Sequence, residues 1–115
     1  MDEEDICVDW RAAILLDNGR RVVHGRLRRL GRGKAVVRAD CNLKPGYRCN
    51  LALMLPKSRP EEPDRIVEGR GVVAYSVMSS MQFHITLERL ELDGRGNEMV
   101  DEHIRLHGKV WKRPQ

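Results

Sequence analysis

A small, mainly β, six-stranded antiparallel barrel carrying one C-terminal α-helix is the architecture this sequence predicts, and three observations predict it. Short stretches of alternating apolar and polar residues recur along residues 8–92, with turn residues between them. Beyond residue 93 the apolar period lengthens to that of a helix. The 115 residues suffice for one core and not for two.

The chain opens on an acidic leader, residues 1–7, whose first five residues have no apolar reason to be buried. Residues 8–16 then form a first strand that ends in Asp17-Asn18-Gly19, a hairpin signal because Asn and Gly accept positive φ. In residues 21–30 the alternation is imperfect: Val23 and Leu27 point one way, while Val22, His24, Arg26 and Arg28 point the other. Gly31-Arg32-Gly33 turns the chain into Ala35-Val36-Val37. Asn42-Leu43-Lys44-Pro45-Gly46 is a turn by composition and order. Leu51, Leu53 and Leu55 then share one strand face, and residues 57–64 make a polar, proline-rich, mobile loop. From Val67 onward, Val73, Tyr75 and Val77 are expected on one face, with Gly69 and Gly71 marking a bend or bulge. Ser79-Ser80 turns the chain again, and Met81, Phe83, Ile85 and Leu87 alternate with Gln82, His84, Thr86 and Glu88. Val100, Ile104, His107 and Trp111 fall at helical spacing; Asn97 is placed to cap this helix, and Glu98, Asp101 and Glu102 to complement its dipole. Residues 93–115, helix and tail, are expected to pack on the barrel of residues 8–92.

Charge is distributed unevenly. Residues 18–39 hold eight basic side chains and no carboxylate, which leaves 13 basic against 17 acidic residues in the remainder. A net charge of +4 is therefore a strongly basic segment on an acidic body, a local patch rather than an overall coating. Three readings fit the patch: a solvated strand face that deters edge pairing, a phosphate site built from guanidinium groups and glycine amides, or a dock for an acidic protein surface. Single-stranded nucleic acid is disfavoured, because residues 18–39 contain no aromatic ring.

Catalytic and metal chemistry find no assembled set. Gly31-Arg32-Gly33 begins a GxG, but Val36 stands where the third glycine of a dinucleotide loop belongs, and Lys34 is followed by Ala35 rather than Ser or Thr. His103 and His107 lie four apart without the HExxH glutamate or a third ligand, so no metal and no cofactor are expected. Cys7, Cys41 and Cys49 are odd in number and show no CxxC spacing, which favours reduced, packed thiols. No apolar run approaches the roughly 20 residues of a membrane span, and the start is acidic where a signal peptide is basic. The cytoplasm is the expected compartment.

Gly25-Arg26-Leu27 through Gly46, residues 51–56, Gly71-Val72-Val73 and Gln82-Phe83, in that order, resemble a PilZ domain over residues 8–92. The resemblance implies a six-stranded barrel, often with a terminal helix, that binds cyclic di-GMP through an RxxxR motif and a [DN]xSxxG loop. Against those motifs, Cys7-Val8-Asp9-Trp10-Arg11 keeps the second arginine as Arg11. In the loop, Arg29 replaces the acid or amide, Gly31 the serine and Lys34 the glycine. Arg28 and Arg32 also have RxxxR spacing, but in the wrong segment. The expectation is a non-enzymatic bacterial regulatory module in cyclic di-GMP signalling or motility, with weak or lost nucleotide binding and action through an unidentified signalling or motility protein. Two alternatives remain: a cyclic di-GMP receptor with an altered site, and a small basic barrel for nucleic acid. Arg11, Arg28, Arg29, Arg32 and Lys34 are the candidate ligand-binding residues.

Overall fold

The computed structural model describes residues 5–57, 59–107 and 111–112, the side chains of residues 106, 107, 111 and 112 excepted. Expectations for residues 1–4 and 113–115, and for the side chains of His107 and Trp111, lie outside what is described. Six long strands follow one another: β1 (Ile6–Leu16), β2 (Arg21–Gly31), β3 (Lys34–Ala39), β4 (Arg48–Leu55), β5 (Arg65–Ser79) and β6 (Gln82–Leu92). After them come helix α1 (Gly96–His107) and a two-residue strand, β7 (Trp111–Lys112).

All pairings are antiparallel, in the order β2-β3-β6-β5-β4-β1, and β1 also pairs with β2, so the sheet closes into a six-stranded barrel. Alternation fills its interior: Ile14, Leu27, Val37, Leu53, Ile85 and Leu87, one or more from each of five strands, are fully buried, and Val67 and Val73 come from β5. Each such side chain withdrawn from water contributes on the order of 1.5–3 kcal/mol.

Turn chemistry explains the hairpins. Asn18 and Gly19 take positive φ, as their sequence predicted, and Asp17 does so as well. The β5–β6 turn falls on Ser80 and Met81, both at positive φ, one residue later than expected. Met81 is consequently 85% exposed at a hairpin tip instead of beginning the β6 alternation.

Three bulges outside the β1–β2 ladder account for the broken patterns. Leu27 pairs with Val37 and Arg29 with Val36, so Arg28 is one residue in excess on β2, and Leu27 and Leu30 can both face inward. On β5, Val73 pairs with Leu87 and Tyr75 with Thr86, so Ala74 is the excess residue. That bulge reverses the expected direction of Tyr75 and Val77: both turn outward and are exposed, whereas Val67 and Val73 remain in the core. The third lies where Gly69 and Gly71 predicted irregularity; the register shifts between Arg70 and Val72, opposite Arg89 at φ 53°.

The chain ends also depart from expectation. Strand β1 begins at Ile6, inside the acidic leader, and Asp5 is buried. Helix α1 starts at Gly96, which places Asn97 in its first turn rather than at the cap, and Trp111 belongs to β7, paired with Cys7 of β1, rather than to the helix. Val100 and His103 are the buried positions of α1. The His103 ring meets Trp10 edge-on at 5.5 Å, and Arg65 donates to its Nδ1 at 3.2 Å. Because arginine can only donate, that contact requires an unprotonated Nδ1 and a neutral ring. His103 is thus a packing residue of the helix–barrel junction.

Two outcomes are expected. A Cβ at Gly69 would lie 2.6 Å from the Glu91 carbonyl oxygen and 2.9 Å from the Leu92 side chain, so Gly69→Ala should lower the urea unfolding free energy by about 1–3 kcal/mol. Burial pushes the Cys49 thiol up to about 11, so at pH 8 iodoacetamide should label the half-buried Cys7 and Cys41 first and Cys49 only on unfolding, as read by peptide mass mapping.

Candidate functional site: a basic concavity on the outer barrel face

The β2–β3 hairpin builds the site. Gly31 and Lys34 are partners across a two-residue turn of Arg32 and Gly33, and Gly33 takes φ 69°, a conformation that costs a glycine nothing. On the other side of β2, Cys7 pairs with Arg29 and Trp10 with Leu27, leaving Val8 and Asp9 opposite Arg28. The double irregularity keeps two successive arginines out of the core. Arg28 and Arg29 both line an open concavity of about 740 Å³ together with Lys34, Arg38, Tyr75 and His84.

The concavity contains its own carboxylate. Asp5, 7% exposed, places Oδ2 3.5 Å from Arg29 Nη2, and its Oδ1 occupies the space where a Cβ on Gly31 would fall. Glycine at position 31 and aspartate at position 5 are therefore sterically matched. A second carboxylate, Asp9, stands at the rim: Arg26 donates to its Oδ1 at 2.9 Å and to its backbone carbonyl at 3.0 Å, and Arg28 is 3.9 Å away. The hydrogen bond from Arg26, ahead of the charges of Arg26, Arg28 and Arg38, holds the Asp9 carboxyl below its ordinary value despite some opposing desolvation. The Nε atoms of Arg29 and Arg38 are buried without a hydrogen-bond partner among the described residues. Guanidinium groups in that state favour an anion or a polar partner.

Of the five residues the sequence nominates, three meet here: Arg28, Arg29 and Lys34. Arg32 is exposed at the turn and opens on a different concavity, between the barrel end and α1, beside Arg70, Asp93 and Asp101. Arg11 lines a third, with His24, Arg26 and Asp40, which shares Arg38 as a wall with the first. The nomination omitted Asp5, Arg38, Tyr75 and His84. Arg38 and His84 were legible, since Lys34-Ala35-Val36-Val37-Arg38 and residues 82–88 alternate cleanly; Tyr75 was not, because the Ala74 bulge decides its direction. Chemically the arrangement gathers the cations Arg28, Arg29, Lys34 and Arg38 around the carboxylate of Asp5. Among the described residues no group of three or more His, Cys, Asp or Glu is placed to hold a metal ion.

The chain is thus a closed six-stranded antiparallel β-barrel with a terminal helix and a basic concavity on its outer face. Among solved structures, the Bacillus subtilis inhibitor of motility MotI/DgrA is similar, with a TM-score of 0.68, 19% identity and coverage of 90% of this chain. The present chain spans 49% of that one, and at this identity the likeness is one of fold. No protein-family model matches the chain, and no curated protein sequence does.

Removing the rim carboxylate separates charge from stability. Asp9→Asn should retain the fold, with a stability change within about 1 kcal/mol because the pair is exposed. It should also elute from a heparin column at higher salt, Arg26 and Arg28 having lost their counter-ion. In the unaltered protein the Asp9 pair stabilises fully above the unfolded carboxyl value, near 3.8, and loses that contribution as pH falls through the lowered folded value. Thermal melts of the two proteins should therefore converge at acid pH.

Proposed function

We propose that this chain is a non-enzymatic regulatory module of the PilZ type, working in the bacterial cytoplasm in cyclic di-GMP signalling or motility control and acting through protein contacts, with its own nucleotide binding weak or lost. The observation that carries the reading is Asp5. Where a PilZ loop offers a serine to the nucleotide, this chain has Gly31, and the space beside it is taken by a carboxylate already paired with Arg29. A phosphate arriving there meets a like charge and must displace a buried side chain. The fold similarity to an inhibitor of motility supports the regulatory class. No described helix is long and apolar enough to cross a membrane.

A second reading, an altered cyclic di-GMP receptor, is favoured by one observation: Arg28, Arg29, Lys34 and Arg38 converge on one concavity beside the exposed Tyr75 ring. Isothermal titration calorimetry with cyclic di-GMP at physiological salt decides between them. The unaltered chain is expected to show no binding in the low-micromolar range, and Asp5→Ala to bind at least about 10-fold more tightly than the unaltered chain, the equivalent of ~1.4 kcal/mol. A dissociation constant of a few micromolar or tighter for the unaltered chain would establish the second reading instead.

A further inference from the structure

The strand registers bring distant residues into one row across the outer face. Val77 of β5 pairs with His84 of β6, His84 with Arg38 of β3, Arg38 with Arg26 of β2, and Arg26 with Arg11 of β1. Three arginines therefore stand in direct register on three adjacent strands, spaced about 4.8 Å apart. Like charges directly opposite one another destabilise a sheet. Only Arg26 has a carboxylate at hydrogen-bond distance; among the described residues no carboxylate pairs with Arg11 or Arg38, and Arg38 Nε is buried without an acceptor. At the other end of the row Val77 is 54% exposed, with Tyr75, 53% exposed, beside it on the same face. The isolated fold thus retains both charge repulsion and exposed apolar surface on one side.

A partner with carboxylates and an apolar side chain relieves both. We propose that the outer face formed by β5, β6, β3, β2 and β1 docks an acidic segment of a partner protein, its carboxylates on Arg38 and Arg11 and an apolar side chain against Tyr75 and Val77. This rests on the reading of the chain as a module acting through protein contacts and supplies the chemistry of that contact. The composition of the face supports protein over nucleic acid. Protein interfaces are enriched in Arg, Tyr and Met and depleted in Lys, and arginine is the cation at all three registered positions. Nucleic acid stacks its bases on successive rings, whereas this face offers one exposed ring beside a valine.

Fluorescence anisotropy at low and physiological salt tests the proposal with three probes of equal length: a labelled peptide alternating Glu and Leu, the same peptide with Ser for Leu, and an oligo-dT strand. The Glu-Leu peptide is expected to bind best, to weaken at least about 10-fold in Arg38→Glu and in Arg11→Glu, and to weaken severalfold in Val77→Ser. Arg11 and Val77 are exposed, so those two variants keep the test valid if Arg38→Glu fails to fold. Tighter binding of the oligonucleotide, equal binding of the Glu-Ser peptide, or affinity unchanged in Arg11→Glu and Val77→Ser would overturn the docking surface. No nucleotide enters this measurement, so its failure removes the surface alone, whereas low-micromolar cyclic di-GMP binding by the unaltered chain removes the wider reading.

Discussion

Strand β1 has hydrogen-bonded neighbours on both sides: residues 11–15 pair with β2 on one edge and β4 on the other. That closure is the constraint on which the remaining structure depends. It abolishes the free edges of a six-stranded sheet and forces every strand to send one set of side chains to a common interior. It also makes the outer face continuous from β5 to β1, so that residues more than sixty positions apart, such as Arg11 and Val77, share one surface row. The terminal helix adds to this arrangement without creating it, seating Val100 and His103 against the barrel beside Trp10.

Within the closed sheet, bulges do the functional placement. Each inserts one residue and so exchanges the inward and outward sets of the strand beyond it. The excess residue at Arg28 allows two consecutive arginines to avoid the core between Leu27 and Leu30. The excess residue at Ala74 converts the second half of β5 from a core strand into an exposed apolar ribbon beside the basic rows. A regular barrel with the same composition would bury Tyr75 and lose the juxtaposition of apolar and basic surface.

Electrostatics then limits what the surface can do. Asp5 and Asp9 come from the segment entering the barrel and reach β2, where they partly offset the arginines. Their placement differs in consequence. Asp5 is buried and matched to the missing side chain of Gly31, so it fills a specific position; Asp9 is exposed and trims the potential at the rim. The positive charge of the face is consequently offset only in part, and its corner beside Gly31 is filled from within.

The sequence by itself determined the number and order of the strands, the core residues of β4 and of β6 from Phe83 onward, the turns at Asn18 and Gly33, and the segregation of charge into residues 18–39. These are local properties: alternation, positive-φ residues and charge density are all read over a few neighbours. It also placed Arg28, Arg29 and Lys34 together, because they flank one turn. What only the tertiary structure decided was anything set by register between strands. The outward turn of Tyr75 and Val77, the separation of Arg11 and Arg32 from the other three candidates, the row joining Arg11 to His84, and the seating of Asp5 on Gly31 all follow from which residue lies opposite which. A one-residue shift reverses a side chain's face, and nothing in a local pattern of two reports that shift until the neighbouring strand is in place.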